Sequence, residues 1–437
     1  MVERALLVTI WFRGQDQDEA ASLLLELEDL VRTLGVPIQD RMLVACAQPR
    51  PRLLVGTGKA EEILRRAREI NADVIVIDND LTPAQQRSWE RLTGLCVIDR
   101  EEVILDIFGN RALTREARLQ VDLARMQYSL PRLTRAWTHL SRQSGGGGTG
   151  GRGEGETQLE ADRRMVRRRI DRLKIELVAV RKHRATQRKN RLRIPLPHAA
   201  IVGYTNAGKS SLLRCLTGAD VHVEDKLFAT LDTTTRKVKL PDGQFLLLTD
   251  TVGFVRRLPH DLVESFKATL EEAVLADFRI HVLDASHPKV TEFYRTTVDV
   301  LEELGADTSN MVTVFNKLDL VEDRSRLLAL RNEFPDALFV SAHTREGIEG
   351  LEHRLADLLH SLVMHLEYRV PQSRSDLVSA IYDSGKVLEA RYDDDEVHLV
   401  AIMPSRLRSR FQKFEADGEA LELPADIPDP EADILTA

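Results

Sequence analysis

The sequence predicts an α/β protein in four parts: a small α/β domain, a basic two-helix coiled-coil arm, a P-loop domain and a small α+β domain. Three observations support this fold class. Apolar, strand-like runs alternate with amphipathic helical segments, leucines recur at coiled-coil spacing in the second part, and a glycine-rich loop joins an apolar run to a helical run in the third. The predicted boundaries are 1–110, 111–195, 196–365 and 366–437.

The first part alternates between the two kinds of segment. The predicted order is strand Ala5 to Trp11, helix Asp18 to Leu34, an apolar run Met42 to Ala47, helix Lys59 to Asn71, strand Val74 to Asp78, helix Pro83 to Leu92 and strand Cys96 to Asp99. A second glycine-rich loop, Gly56 to Lys59, opens one of these helices. It lacks the full phosphate-loop spacing, so a tight turn is favoured over a nucleotide site.

The second part is predicted to form two helices joined by a glycine-rich tip at 144–156. Apolar residues recur at coiled-coil spacings: Leu119, Leu123, Met126, Leu130 and Leu133, then Leu159, Val166, Ile170, Leu173, Leu177 and Val180. Pro131 should end or kink the first helix near residue 130. The tip is either a passive linker or a surface that moulds to a partner. Two long basic arms favour the second.

The charge distribution points to a polyanion. The whole chain of 437 residues carries a net charge of −8, yet residues 110–195 contain 22 Lys/Arg against 8 Asp/Glu. Clustered basic charge is typical of proteins that bind nucleic acid, although a solvated helix face would carry the same charges. The candidate RNA contacts are Arg152, Arg163, Arg164, Arg167 and Arg168.

The third part contains a complete phosphate loop. Its residues are Gly203, Tyr204, Thr205, Asn206, Ala207, Gly208, Lys209 and Ser210. The glycines let the backbone wrap a phosphate, and the following helix points its N-terminal amides at the anion. Lys209 is expected to reach the β- and γ-phosphates, and the Ser210 hydroxyl is expected to bind Mg²⁺.

Three further motifs follow in the order typical of GTPases. They are Asp250, Thr251, Val252 and Gly253; then Asn316, Lys317, Leu318 and Asp319; then Ser341, Ala342 and His343. Gly253 is expected to meet the γ-phosphate. The Asp319 carboxylate would accept hydrogen bonds from guanine N1–H and N2–H₂, which adenine lacks. The third motif would offer a backbone amide to guanine O6. The third part is therefore a predicted P-loop GTPase domain.

Two positions in this domain remain open. The switch residues are predicted to be Phe228, Ala229, Thr230, Leu231 and Asp232. Thr230 is the favoured second Mg²⁺ ligand beside Ser210, and Thr233 to Thr235 are the alternatives. Asp250 is expected to hold the ion through a water molecule. Phe254 occupies the position at which Ras-like enzymes carry a water-orienting Gln. Hydrolysis should therefore be slow without a partner or another group, unless Phe254 merely packs the switch, and no catalytic base can be named.

The fourth part is predicted to be a small α+β domain with an acidic tail. The predicted order is strand Glu367 to Val370, helix Ser375 to Tyr382, strands Val387 to Tyr392 and Val397 to Met403 around a turn at Asp393 to Asp395, helix Ser405 to Phe414, then an acidic tail. No apolar run reaches about 18 residues, which predicts no membrane span. The start lacks signal-peptide features, and Cys46, Cys96 and Cys215 have neither metal nor disulfide spacing, so a cytoplasmic location is expected, with peripheral membrane association left open. A monomer is expected.

These motifs together resemble the HflX family of GTPases over about residues 5–365. The stretches that carry the resemblance are Gly56 to Lys59, Leu81 to Arg87, Val97 to Arg100, Ile104 to Phe108, Leu119 to Ala124, Thr157 to Arg164, Gly203 to Ser210 and Asp250 to Phe254. Relatives usually have Lys or Arg at position 343 and Pro at position 154, where this chain has His343 and Glu154. The resemblance therefore does not extend to side-chain stacking at position 343 or to the proline of the tip.

The resemblance implies a GTPase that binds the large ribosomal subunit, splits ribosomes into subunits, often under stress, and is stimulated by the ribosome. GTP–Mg²⁺ would order the switches so that the basic arm and its tip fit the rRNA, and hydrolysis would release the protein. Two alternatives remain. One is a GTP-controlled switch that binds a protein or membrane; the other is an ATP-driven RNA remodeller that works through Gly56 to Lys59.

Overall fold

The computed structural model describes residues 4–133, 154–192, 196–218, 227–228, 230–231, 233–257, 272–393, 395–404 and 408–416. The chain divides into two compact units. The N-terminal unit comprises residues 1–180, 224–232 and 255–267, and the C-terminal unit comprises the remainder. Two short segments of the predicted GTPase domain therefore belong to the N-terminal unit.

The N-terminal unit begins with a four-stranded sheet of order β2-β1-β3-β4, in which all neighbours are parallel. Its elements are β1 (Ala5–Phe12), α1 (Gln17–Thr33), β2 (Ile38–Cys46), α2 (Thr57–Glu69), β3 (Val74–Ile77), α3 (Pro83–Thr93), β4 (Cys96–Asp99) and α4 (Arg100–Arg111). The predicted alternation of strands and helices is confirmed. Strand β2 begins earlier than the predicted apolar run, because the polar residues at its start lie at the edge of the sheet.

Local sequence signals explain where these helices begin. Asp16 accepts a hydrogen bond from the Asp18 amide at the start of α1. Thr82 and Gln85 form a capping box around α3, and Asp99 accepts from the Glu102 amide at the start of α4. Each cap satisfies an amide that the first helical turn would otherwise leave unpaired. The sheet and helices enclose an apolar core that includes Trp89, whose indole donates to the Leu53 carbonyl over 3.0 Å.

The arm consists of α5 (Arg115–Ser129) and the long helix α6 (Glu154–Leu192). A short 3₁₀ turn at Leu130–Arg132 ends α5 as Pro131 predicts. The buried seam consists of Leu119, Leu123, Ile170, Leu173 and Leu177. Helix α6 begins at Glu154, so the last three residues of the predicted tip are helical; residues 144–153 lie outside the described residues.

The P-loop domain is built on a six-stranded sheet of order β10-β9-β8-β5-β7-β6. Only β6 runs antiparallel to its neighbour among these described strands. The elements are β5 (His198–Gly203), α7 (Lys209–Thr217), β6 (Thr234–Lys239), β7 (Phe245–Asp250), β8 (Phe278–Asp284), α8 (Val290–Glu303), β9 (Met311–Asn316), α9 (Arg324–Glu333), β10 (Leu338–Phe339) and α10 (Ile348–Leu362). The carboxyl ends of β5, β7, β9 and β10 lie at one edge of the sheet, where α/β proteins bind ligands.

The last domain is a three-stranded antiparallel sheet of order β11-β13-β12. Its elements are β11 (Val363–Pro371), α11 (Ser375–Ser384), β12 (Lys386–Tyr392), β13 (Glu396–Pro404) and α12 (Arg408–Phe411). The predicted order of strand, helix, two strands and helix is confirmed, although β11 starts four residues before the predicted Glu367. The acidic tail lies outside the described residues. Across the described chain, no helix is long and apolar enough to span a membrane.

Candidate nucleotide-binding site

The phosphate loop follows β5 directly and requires two glycines. A Cβ atom at Gly203 would lie 2.2 Å from the Val282 carbonyl oxygen, and one at Gly208 would lie 2.1 Å from Asn316 Nδ2. Both glycines also have positive φ angles, of 143° and 93°. Lys209 begins α7, and its ammonium group donates to the Tyr204 carbonyl over 2.8 Å. The loop therefore closes around its own lysine at the N-terminus of a helix, an arrangement suited to phosphate.

Burial affects the charge on this lysine. Lys209 is only 7% exposed, and the resulting desolvation lowers its pKa to about 8, against the opposing charge of Asp250. The lysine thus sits in a place where its positive charge is costly without an anionic partner. A nucleotide phosphate would be such a partner.

Ser210 and Asp250 lie together where a magnesium ion is expected. The Ser210 hydroxyl donates to Asp250 Oδ2 over 2.6 Å. Hydroxyl and carboxylate oxygens, together with phosphate oxygens, are the hard ligands that Mg²⁺ prefers. No group of three or more His, Cys, Asp or Glu side chains in the described chain could hold a metal ion by itself. The residues present fit an ion that is held mainly by nucleotide phosphates and water.

The segment after β7 lies against the phosphate loop. Thr251 donates to the Ile201 carbonyl over 2.6 Å, and Val252 is buried. A Cβ atom at Gly253 would lie 2.8 Å from Lys209 Nζ and 2.7 Å from the Thr205 side chain. Gly253 is therefore packed directly against the residues that are expected to meet the terminal phosphates.

Phe254 continues this contact through its backbone. Its amide donates to the Gly203 carbonyl over 3.1 Å, and its carbonyl accepts from the Thr205 amide over 2.8 Å. The phenyl ring is 2% exposed. Phe254 thus packs the switch, one of the two alternatives that the sequence left open, and the pairing with the phosphate loop is a contact that the sequence did not predict.

The base-recognition loops are tied together by one amide side chain. Asn316 Nδ2 donates to the Ala207 carbonyl, and Asn316 Oδ1 accepts from the Ala342 amide, both over 3.0 Å. The Ser341 hydroxyl donates to Asp319 Oδ1 over 2.5 Å. These contacts bring the phosphate loop, the end of β9 and the loop after β10 to one place, and they orient the carboxylate that would read guanine.

The flanking residues of this loop take different roles. Lys317 has a positive φ of 62°, and its ammonium group pairs with Asp284 Oδ2 over 2.8 Å. Asp284 is the last residue of β8, and its place in the site was not predicted. The signal that could have indicated it is an acidic residue at the end of a strand next to β9. Leu318 begins a short 3₁₀ turn. His343 is 87% exposed, with its ring 3.9 Å from the Asp319 carboxylate.

The switch threonines fall into two groups. Thr235 lies within β6 and shares a hydrogen bond of 2.8 Å with Thr249, and Thr234 begins the same strand. The Thr235 hydroxyl is thus engaged within the sheet, and Thr230 stays the predicted Mg²⁺ ligand. Thr230 lies in the N-terminal unit with Phe228 and Leu231, both buried; Ala229 and Asp232 lie outside the described residues.

The arginines that are predicted to contact RNA differ in their exposure to solvent. Arg164, Arg167 and Arg168 are exposed on α6. Arg163 is half-buried and donates to the Leu133 carbonyl over 3.1 Å, which joins α6 to the end of the first helix. Arg152 lies outside the described residues. The two neighbouring arginines 163 and 164 thus have different surroundings, and this difference can be tested.

Three family models match the chain in the order of its domains. The model described as "GTP-binding GTPase N-terminal" matches residues 21–109, "GTP-binding GTPase Middle Region" matches 111–191, and "50S ribosome-binding GTPase" matches 198–317. A GTPase HflX from Akkermansia muciniphila is 52% identical over 427 residues, which cover 95% of this chain and 98% of that protein. The chain belongs to the GTPase HflX family.

Other members of the HflX family agree with this assignment. The GTPase HflX of Chlamydia pneumoniae is 43% identical, with 94% of this chain and 88% of that protein covered. That of Escherichia coli strain K12 is 42% identical, with 92% and 94% covered. A solved GTP-binding protein from Sulfolobus solfataricus in complex with GDP has a TM-score of 0.43 and 24% identity to this chain, with 82% of this chain and 98% of that chain covered. HflX family membership makes this chain a GTP-hydrolysing enzyme.

Proposed function

We propose that this chain is a translational GTPase that binds GTP–Mg²⁺ and the large ribosomal subunit, and that it splits ribosomes into subunits under stress in the cytoplasm. The observation that carries the proposal is that one chain combines exposed arginines on α6 with a predicted guanine-nucleotide site. The match of its GTPase domain to a model described as ribosome-binding supports the same proposal. The basic arm would contact rRNA phosphates, which explains a strongly positive module in an acidic protein.

The residues of the site have distinct roles in this proposal. Lys209 and the amides at the start of α7 bind the phosphates, and Ser210 with Thr230 would hold Mg²⁺, with Asp250 acting through water. Bound Mg²⁺ would neutralise charge that develops on the phosphates during hydrolysis. Asp319 selects guanine, since an unpaired carboxylate against adenine would be costly. With Phe254 packed against the switch, the site offers no named catalytic base, so the ribosome would have to complete the catalytic arrangement.

The test is GTP turnover by the full-length protein, alone and with purified large ribosomal subunits, at two salt concentrations. We expect slow basal turnover and strong stimulation that falls steeply as salt rises, because phosphate contacts release counterions. Asp319→Ala is the control and should lose stimulated GTP turnover. Tight GTP binding with no stimulation would contradict ribosome binding and favour a switch that acts on a protein or membrane. ATP turnover that persists in Asp319→Ala would instead favour the N-terminal remodelling alternative.

Splitting itself is measured separately. Intact ribosomes would be incubated with the protein and a non-hydrolysable GTP analogue, then separated by density-gradient centrifugation. Accumulation of free subunits is expected, and subunit binding without a fall in intact ribosomes would limit the function to ribosome binding.

A further inference from the structure

One hydroxyl group of the phosphate loop is buried without a hydrogen bond. Thr205 is only 6% exposed, and its Oγ1 atom has no hydrogen-bond partner among the residues that the structure describes. Thr251 is also buried, but its hydroxyl donates to the Ile201 carbonyl over 2.6 Å. Burying a hydroxyl without a hydrogen bond is unfavourable, so the Thr205 hydroxyl is suited to a partner that a ligand supplies.

The backbone on both sides of this hydroxyl is held by hydrogen bonds. The Thr205 amide donates to the Phe254 carbonyl over 2.8 Å, and the preceding carbonyl, that of Tyr204, accepts from the Lys209 ammonium group over 2.8 Å. The Tyr204 ring is also stacked on Phe293 of α8, with the ring centroids 3.9 Å apart. Thr205 is therefore held in place by the protein itself, and little conformational entropy is lost when its hydroxyl gains a partner.

The Thr205 side chain lies beside Gly253 and the end of the Lys209 side chain. The Cβ position at Gly253 is 2.7 Å from Thr205 Cγ2 and 2.8 Å from Lys209 Nζ, so these two atoms are no further apart than the sum of those distances. One phosphoryl group that accepts hydrogen bonds of ordinary length on two of its oxygens spans such a separation.

The neighbours of Thr205 indicate which phosphate would lie there. In P-loop GTPases the loop lysine reaches the β- and γ-phosphates, and the glycine that corresponds to Gly253 responds to the γ-phosphate. A phosphate that lies near both Lys209 and Gly253 is therefore the γ-phosphate. A hydroxyl can donate one hydrogen bond to a phosphate oxygen, and hydrogen bonds to ionised groups are stronger than those between neutral groups.

We propose that the Thr205 hydroxyl donates a hydrogen bond to a γ-phosphate oxygen, and that Thr205 thereby distinguishes the substrate GTP from the product GDP. GDP ends at the β-phosphate and leaves this hydroxyl without the contact. After hydrolysis and release of phosphate, the site therefore loses its preference for the bound nucleotide. This inference rests on the proposed binding of GTP at the phosphate loop.

The experiment measures dissociation constants for GDP and for a GTP analogue whose β,γ-imido bridge leaves the terminal oxygens of the γ-phosphate unchanged. The full-length protein and Mg²⁺ are used throughout. Thr205→Val replaces the hydroxyl with a methyl group of similar size. It should weaken binding of the GTP analogue by about tenfold or more and change that of GDP by less than about twofold, because only the GTP analogue loses a hydrogen bond to a charged group. Thr205→Ser keeps the hydroxyl and should stay within about threefold for both nucleotides.

Thr297 on α8 provides the matched control. It is completely buried, and its Oγ1 atom also lacks a hydrogen-bond partner within the described part of the chain. It lies outside the predicted nucleotide motifs. Thr297→Val should therefore change neither dissociation constant by more than about twofold.

Stability measurements separate this contact from a structural role. Thr205→Val should not lower the melting temperature of the nucleotide-free protein, because the hydroxyl that it removes makes no hydrogen bond to the described residues. A lower melting temperature, an equal loss of affinity for both nucleotides or an unchanged ratio of the two constants would each overturn the inference. If Thr205→Val fails to fold, Thr205→Ala removes the same hydroxyl and should shift the ratio in the same direction. An unmodified chain that binds neither nucleotide would instead contradict the proposed function, so the two failures are distinguishable.

Discussion

Glu102 lies at the start of α4, and its half-buried carboxyl group has a raised pKa. Its Oε2 accepts from the Tyr128 hydroxyl over 3.1 Å and from Gln86 Nε2 over 3.3 Å. Burial first, and then the charge of Asp99, raise the pKa of Glu102 from 4.5 to about 7. The hydrogen bond from Tyr128 opposes this shift without cancelling it.

The raised pKa predicts a pH-dependent stability. Between pH 4.5 and about 7 the folded chain retains a proton that the unfolded chain has released, so raising the pH through this window destabilises the fold. Glu102→Gln keeps an oxygen acceptor without the charge. We expect it to be more stable than the unmodified chain at pH 8, by up to about 3 kcal/mol, and similar at pH 4.5. Urea unfolding at both pH values measures this.

Glu61→Gln on α2 is the matched control, because Glu61 is exposed. It should leave the pH dependence unchanged. A Glu102→Gln variant with the same pH dependence as the unmodified chain would show that Glu102 titrates normally.

Among the elements, the arm depends on a narrow apolar seam between α5 and α6. Leu173 is completely buried within this seam, whereas Ile175, two residues later, is 72% exposed. Leu173→Ala should therefore lower the free energy of unfolding by about 2–5 kcal/mol, through lost burial and the cavity left behind. Ile175→Ala should change it by less than about 0.5 kcal/mol. Helix loss measured by circular dichroism in urea compares them, and equal effects would contradict the assigned seam.

The elements that the sequence predicted are those with strong local signals. The seam of the arm follows from the coiled-coil spacing of apolar residues that are close in the chain. The capping box at the start of α3 is an equally local contact. Helix α4 was not predicted, since it begins directly after β4 with no intervening loop. The start of β2 was missed because polar residues at a sheet edge carry no apolar pattern.

For the whole molecule, the predictable and unpredictable contacts differ in sequence separation. The four predicted nucleotide motifs, apart from the switch residues, each follow or end a parallel strand, and such strand ends meet at one edge. By contrast, Arg256 and Glu26 form a salt bridge although they are 230 residues apart. Nothing local in either segment indicates that Arg256 belongs with α1, or that Phe228 packs on Phe108. Two consecutive arginines after Phe254 were a visible signal, but their partners were not.

The charge asymmetry of the whole chain gives the last prediction. Arg164 and Arg168 are exposed on α6, whereas Arg163 donates to the Leu133 carbonyl. If the first two contact rRNA phosphates, the double variant Arg164→Gln, Arg168→Gln should bind large subunits more weakly. The slope of log affinity against log salt should also fall by about 2, one for each lost phosphate contact.

Arg163→Gln is the control for this measurement, which uses sedimentation of the protein with large subunits across a salt series. It should leave the salt slope within about 0.5 of the unmodified value, because its side chain is engaged within the arm. A double variant whose slope is unchanged would place the ribosome contact elsewhere, and the positive charge of α6 would then be that of a solvated helix. Such a result would leave the GTP site intact, since Asp319 and Lys209 belong to the other unit.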